Sequence, residues 1–125
     1  MTDLSDHQIA VRPLAPSEVV DRQIQAYNAR DIAAVCDLYA LDAVLIRLHD
    51  GTELCRGRDA VRSRYARFFA DHAGAHCQLQ ARIAIGNFVI DQERVTGTAR
   101  GVLEGVAIYE VLHQRIQTVH FLDRF

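Results

Sequence analysis

The sequence predicts an α+β domain in which three helices near the N-terminus pack on a curved, mostly antiparallel sheet. Three observations predict it. Apolar residues recur at helical spacing in three early segments: Val20/Ile24/Tyr27, Ile32/Val35/Cys36/Tyr39 and Val61/Tyr65/Phe68/Phe69. From His76 the pattern changes to alternation with period two. Short turn signals (Asp50-Gly51, Gly86-Asn87, His113-Gln114-Arg115) then separate the extended runs, so that successive runs pair as hairpins. Long strands in so small a sheet twist and curl. A curled sheet wrapped on a long helix leaves a cone with a cavity at its mouth.

Taken in order, residues 1–16 read as an N-terminal arm, with both prolines, Pro13 and Pro16, and little periodicity. A single domain follows over 17–125. Ser17 is placed to cap the first helix, with Glu18 and Asp21 favourable in its first turn. Asn28-Ala29-Arg30 makes a tight corner, and Asp31 caps the second helix, whose apolar face reaches Tyr39. Ala43–His49 is extended, Asp50-Gly51 turns it, and Thr52–Arg56 returns. The third helix follows Gly57, and Gly74 is placed to stop it. In His76–Ile85, Cys77, Leu79, Ala81, Ile83 and Ile85 should face in, with Arg82 facing out. Phe88–Thr96 is a long strand. Gly97, Gly101 and Gly105 then break the pattern, so that Gly97–Glu104 reads as a loop or bent crossover. Val106–Leu112 and Ile116–Arg124 are the last two strands.

Composition narrows the functions. The chain has 125 residues, 50% apolar and 24% charged, with a net charge of −2. That is one soluble globular domain with no broad electrostatic pull toward nucleic acid or anionic lipid. No apolar run is long enough to span a bilayer, and Met1–Ile9 is too polar for a secretory signal. Cys36, Cys55 and Cys77 are odd in number and form no Cys-x-x-Cys pair, which suits reduced thiols in the cytoplasm. All 14 basic residues are arginine, which excludes Schiff-base chemistry and a P-loop. Ser5, Ser17 and Ser63 form no nucleophile elbow.

Four stretches in fixed order carry a family resemblance. They are Tyr-Asn-Ala-Arg-Asp at 27–31, Leu-Tyr-Ala-Leu-Asp-Ala-Val at 38–44, Gly-Arg-Asp-Ala-Val-Arg at 57–62, and Ile-Tyr-Glu-Val at 108–111 with Arg115-Ile116. Together they resemble the NTF2-like superfamily, the cystatin-like α+β cone, and within it SnoaL-like proteins and ketosteroid isomerase. The likeness runs from about Ser17 to Phe125. It implies the fold far more than an activity, since such folds host many functions. Residue by residue, the isomerase's oxyanion-hole tyrosine falls at Gln23, its aspartate base at Arg47 and its neutral aspartic acid at Ala107. Only a supporting tyrosine is matched, by Tyr65. The resemblance therefore implies a protein that is not a true ketosteroid isomerase.

The resemblance points Arg47 into the cone, where it would need an anion. Periodicity instead makes Val44, Ile46 and Leu48 the core face and turns Arg47 to solvent. Asp123, sharing a strand face with Val119 and Phe121, is the partner Arg47 would have inside; otherwise it is an exposed terminal charge. His49 follows Arg47 on the same face and could act as base, or be solvated beside the hairpin. Arg47, Asp123 and His49 are thus the catalytic candidates. The candidate pocket wall is Gln23, Tyr27, Tyr39, Tyr65, Phe69, Ala107, Tyr109, Val119 and Phe121, an aromatic lining suited to a small hydrophobic ligand; the alternative role for these residues is plain core. His72, His76 and Cys77 have no workable metal-ligand spacing, because Gly74 interrupts them. Arg56, Arg58, Arg62, Arg64 and Arg67 spread around a helix and read as a solvated face.

The expected function is binding, with conversion by a cofactor-independent isomerase, cyclase or dehydratase as the enzymatic version. The alternative is a non-catalytic protein-interaction module. The two differ in whether the cone is open or plugged by side chains. The expected assembly is a homodimer through the sheet, since Val44, Ile46, Leu48, Val106 and Ile108 make the opposite face apolar as well.

Overall fold

A computed structural model describes residues 12–123, with Asp123 described by its backbone. Most of the 1–16 arm therefore lies outside the described residues. The elements are α1 (Pro16–Asn28), α2 (Ile32–Asp37), β1 (Tyr39–Arg47), β2 (Glu53–Arg56), α3 (Arg58–Asp71), β3 (His76–Ile85), β4 (Phe88–Thr98), β5 (Gly101–Leu112) and β6 (Arg115–Asp123). The six strands form one sheet in the order β2-β1-β6-β5-β4-β3. Every neighbouring pair is antiparallel except β1–β6, which is parallel. Among the described residues no helix is long and apolar enough to cross a membrane.

α1 begins one residue before Ser17. Proline has no N–H to lose and a preset φ, so Pro16 takes the first helical position and the cap moves to Ala15. Glu18 then reaches back to accept from the Ala15 N–H at 2.9 Å. The expected corner at Asn28–Arg30 forms, and Asp31 caps α2 by accepting from the Ala34 N–H at 3.1 Å. That corner is pinned to the α3–β3 turn. Asn28 exchanges two hydrogen bonds with the Cys77 backbone, and Arg30 donates to the carbonyls of Ala73 and Ala75.

Four expectations are corrected. α2 stops at Asp37, and Tyr39 opens β1 instead, because its backbone pairs with Ile116 of β6. α3 also stops early, at Asp71, with His72 rather than Gly74 as its last cap. Gly97–Glu104 is not a loop: β4 runs to Thr98 and β5 resumes at Gly101. Gly97 and Gly74 are both needed there for a close approach: Gly97 has φ +74° and a Cβ on it would run into the Gly74 carbonyl oxygen, and a Cβ on Gly74 would lie 2.8 Å from the Gly97 carbonyl oxygen. Finally, the β3–β4 pairing slips between Leu79 and Ala81, so that one extra residue bulges from β3. The bulge reverses the side-chain alternation. Arg82 turns inward, while Ile83 and Ile85 are left outside at 59% and 67% exposure.

All three helices pack on one face of the sheet. Val19 and Val20 of α1, Val35 of α2 and Val61 of α3 meet Tyr39, Leu45, Val89, Ala107, Ile116 and Val119 from the strands, all buried. α1 crosses β3 to β6, and α3 lies over β1 and β2. Among the described residues no helix lies on the far face of the sheet.

Candidate functional site

Between α1, α3 and the inner face of the sheet lies a cavity of about 340 Å³. α1 contributes Gln23, Ile24 and Tyr27, three residues that successive helical turns place along one side. α3 contributes Tyr65 and Phe68, β1 Leu45, β3 Cys77, and β6 Phe121. β4 and β5 supply Glu93, Val95, Leu103 and Tyr109. The cone is thus open, and its walls are mostly apolar and aromatic. Tyr27 packs edge-on against Tyr65 and Phe69, with ring centroids 6.1 and 5.1 Å apart.

The interior polar groups form two sets. On the helical side, Gln23, 3% exposed, donates from Nε2 to the Tyr65 hydroxyl at 3.2 Å. The Tyr65 and Tyr39 hydroxyl oxygens lie 2.8 Å apart. On the sheet side, Tyr109 donates its hydroxyl proton to Glu93 Oε2 at 3.0 Å. Burial, before any other cause, holds the phenols of Tyr27, Tyr39, Tyr65 and Tyr109 above their ordinary range. For Tyr109 the Glu93 charge is the next cause. The Cys77 thiol is pushed up to about 12 by burial and then by Glu93, so it is not a nucleophile at neutral pH.

The rim is charged and more open. Arg64, Arg67, Asp71, Arg100 and Glu104 ring the mouth. His72, at the end of α3, accepts the Ala99 N–H on Nδ1 at 3.1 Å and stacks on Phe68 at 4.6 Å. Among the described residues no group of three His, Cys, Asp or Glu side chains is placed to hold a metal ion.

Of the expected wall, Gln23, Tyr27, Tyr65, Tyr109 and Phe121 line the cavity. Tyr39, Phe69, Ala107 and Val119 are buried core behind it. Arg47 is not inside. It stands one pleat beyond Leu45, 44% exposed, and donates to Asp50 Oδ2 at 3.3 Å. The hairpin offers this cation both water and a carboxylate, whereas burial would cost several kcal/mol, on the order of a full desolvation penalty. His49 is exposed in the same turn, 3.6 Å from Asp50. Asp123 closes β6 with its backbone opposite Gly105, and its side chain lies outside the described residues. The structure therefore does not bring Arg47 and His49 to the cavity.

Glu93 is the carboxylate that reading the sequence missed. Val89, Asp91, Glu93 and Val95 share the inner face of β4, and Phe88, Ile90, Gln92 and Arg94 the outer one. Two acids on an otherwise apolar face were the available signal, but hydropathy does not separate the two faces. Asp91, 0% exposed, is held by Arg82 through Oδ1–Nε at 2.7 Å and Oδ2–Nη2 at 3.0 Å. Arg82 also donates to Asp21 of α1 at 2.6 Å.

A curved sheet covered by helices on one face, open at a cavity between them, is the NTF2-like cone. Within that superfamily the chain belongs to the SnoaL-like domain family, whose model matches residues 20–119. The chain is similar in structure to an uncharacterized cystatin-fold protein of Novosphingobium aromaticivorans, at TM-score 0.79 and 24% identity over 87% of this chain and 98% of that one. It is also similar to an NTF2-like protein of unknown function from Cytophaga hutchinsonii, at TM-score 0.76 and 11% identity over 90% and 93%. A third likeness is to a protein with a ketosteroid isomerase-like fold from Catenulispora acidiphila, solved in complex with trimethylamine. There the TM-score is 0.73 and the identity 18%, over 90% of this chain and 87% of that one. At these identities the likeness is one of fold. No curated protein matches the chain.

Proposed function

We propose that the chain binds a small, largely apolar molecule in the cone and moves a proton on it, in a cofactor-independent isomerase, cyclase or dehydratase type of reaction. One observation carries this reading: a carboxylate, Glu93, lines an open aromatic cavity and is oriented there by the Tyr109 hydroxyl. A carboxylate that faces the cavity and is fixed in orientation by a phenol 3.0 Å away is placed to take a proton from a carbon acid bound there. Glu93 replaces Arg47 and His49 as the catalytic group. The activity differs from that of a ketosteroid isomerase, because Gln23 and buried Ala107 supply neither acid donor at the positions where that enzyme carries them. The test follows α-hydrogen exchange of a panel of aromatic ketones in heavy water by NMR. The parent protein should accelerate exchange for at least one ketone, and Glu93→Gln should lose about 10²–10⁴-fold of that acceleration. Equal exchange in parent and variant refutes the role of Glu93.

A second observation supports the expected homodimer. The helix-free face of the sheet joins Ile83, Ile90 and Ile108 in register across β3, β4 and β5. Val106 and Leu122 extend the same face to β6. An apolar sheet face of this kind is ordinarily covered, and a second copy supplies an identical one. The three free cysteines support a reducing compartment, the cytoplasm.

A further inference from the structure

We infer that the molecule taken by the cone is an amphiphilic organic acid: its apolar part fills the cavity, and its anionic group stays at the mouth on the guanidiniums of Arg64 and Arg67. The inference rests on the cavity reading and adds which end of the ligand enters and what charge it carries.

The spacing on α3 builds the site. Tyr65 and Phe68 lie one helical turn apart and line the cavity, and Arg64 and Arg67 each precede one of them. The helix therefore sets two exposed guanidiniums side by side along the edge of an aromatic wall. Other arginines of the chain are engaged: Arg82 by two aspartates, Arg30 and Arg58 by backbone carbonyls. Among the described residues no carboxylate is in salt-bridge range of Arg64 or Arg67, although Asp71 stands one turn beyond Arg67. Arg100, from the turn between β4 and β5, adds a third cation to the same rim. Of the rim carboxylates, Asp71 remains at the mouth. Glu104 lies opposite Arg94 on the outer face of the sheet, so its carboxylate is turned away.

Glu93 sets the direction of entry. It lines the interior, and a second negative charge brought beside it is repelled. An acid therefore enters apolar end first and leaves its charge at the rim. There the anion keeps its contact with water and loses little solvation. The planar guanidinium offers it paired N–H donors that match a carboxylate. The two ends of the cone thus ask for opposite things, an uncharged body within and an anion without.

The test uses 2-naphthylacetate and 2-naphthylacetamide, which share a shape and differ in charge. The chain has no tryptophan, so naphthalene fluorescence reports binding without indole emission beneath it. The acetate should bind the parent roughly tenfold more tightly than the acetamide at about 20 mM salt, and the gap should narrow toward about 0.5 M salt. Arg64→Gln/Arg67→Gln should bring the acetate to the level of the acetamide and leave the acetamide unchanged. Both positions are exposed on a helix, where glutamine is a good helix former, so this variant should fold as the parent does. Arg22→Gln/Arg62→Gln removes the same charge from exposed helix positions away from the cavity and should keep the gap. Equal affinities of the two probes for the parent overturn the inference and leave the cavity reading standing. So does a gap that survives in Arg64→Gln/Arg67→Gln, or one that closes as far in Arg22→Gln/Arg62→Gln, which would make it a property of net charge. Failure of both probes to bind overturns the inference and the cavity reading together.

Discussion

Removing the Arg82 side chain should destabilise the protein more than removing the carboxylate it holds. Arg82→Met keeps the aliphatic length and deletes the guanidinium. Asp91, 0% exposed, then loses the partner of both its oxygens. A buried charge left without a partner costs about 3–5 kcal/mol, which for a domain of this size lowers Tm by roughly 10–20 °C. Asp91→Leu costs less, because Arg82 keeps Asp21 and its side chain is 16% exposed. The Asp21 arm adds little by itself, since Asp21 is 51% exposed and the pair is screened, a contribution of about 0–1 kcal/mol. The double variant Arg82→Met/Asp91→Leu replaces a buried pair by apolar groups and should recover most of the loss. Thermal and urea unfolding of all four proteins measure the coupling. An Arg82→Met protein within about 1 kcal/mol of the parent, or a double variant as unstable as the sum of the singles, would refute the view of Asp91 as a desolvated charge held by one cation.

Three further outcomes are expected. The Glu18 carboxyl is held down at about 2, first by the Arg12 guanidinium and then by the Ala15 N–H, and that of Asp50 at about 2, first by the Thr52 N–H. Both contribute stability present above their unfolded values of 4.5 and 3.8 and lost as pH falls toward 2. Denaturation curves between pH 5 and pH 2 should accordingly flatten in Glu18→Gln/Asp50→Asn relative to the parent; parallel curves would show that neither contact matters. Gly97→Ala combines a left-handed φ with backbone contact to Gly74 and should cost about 1–3 kcal/mol in urea unfolding, more than Gly86→Ala, where φ is also positive but nothing lies within 4 Å and the loss should be nearer 1 kcal/mol. Sedimentation at micromolar concentration should report two chains, with Ile83→Glu/Ile108→Glu shifting the protein to a monomer; a parent that sediments as one chain removes the dimer.

The sequence made local order legible and long-range pairing only partly so. Helical stripes such as Val20/Ile24/Tyr27, and turn chemistry at Asp50-Gly51 and His113-Gln114, depend on neighbours a few residues apart. The start of β1 depends on Ile116, far along the chain, so Tyr39 read as helix. The bulge in β3 has no composition of its own, yet it decides whether Arg82 meets Asp91 or solvent. The candidate site suffered from the same limit. Gln23, Tyr27 and Tyr65 reach the cavity from α1 and α3, where helical spacing groups them on inward faces, and Tyr109 and Phe121 reach it from β5 and β6, where strand alternation does the same. Arg47 does not, because a salt bridge three residues away at Asp50 competes with the interior. Glu93 was hidden by a strand whose two faces are equally mixed.

The single parallel pair has a consequence for how the chain is built. β6 sits between β1 and β5, so it joins β2–β1 to β5–β4–β3. It is also the last of the described strands to leave the ribosome. Until it arrives, the growing chain holds two half-sheets with bare edges along β1 and β5, each a template for unwanted pairing. The halves can be made in sequence but can be joined only at the end, by contacts between distant parts of the chain, which slows folding. Premature termination before residue 115 would therefore leave not a shortened cone but two unconnected sheet fragments, open to aggregation and to proteolysis.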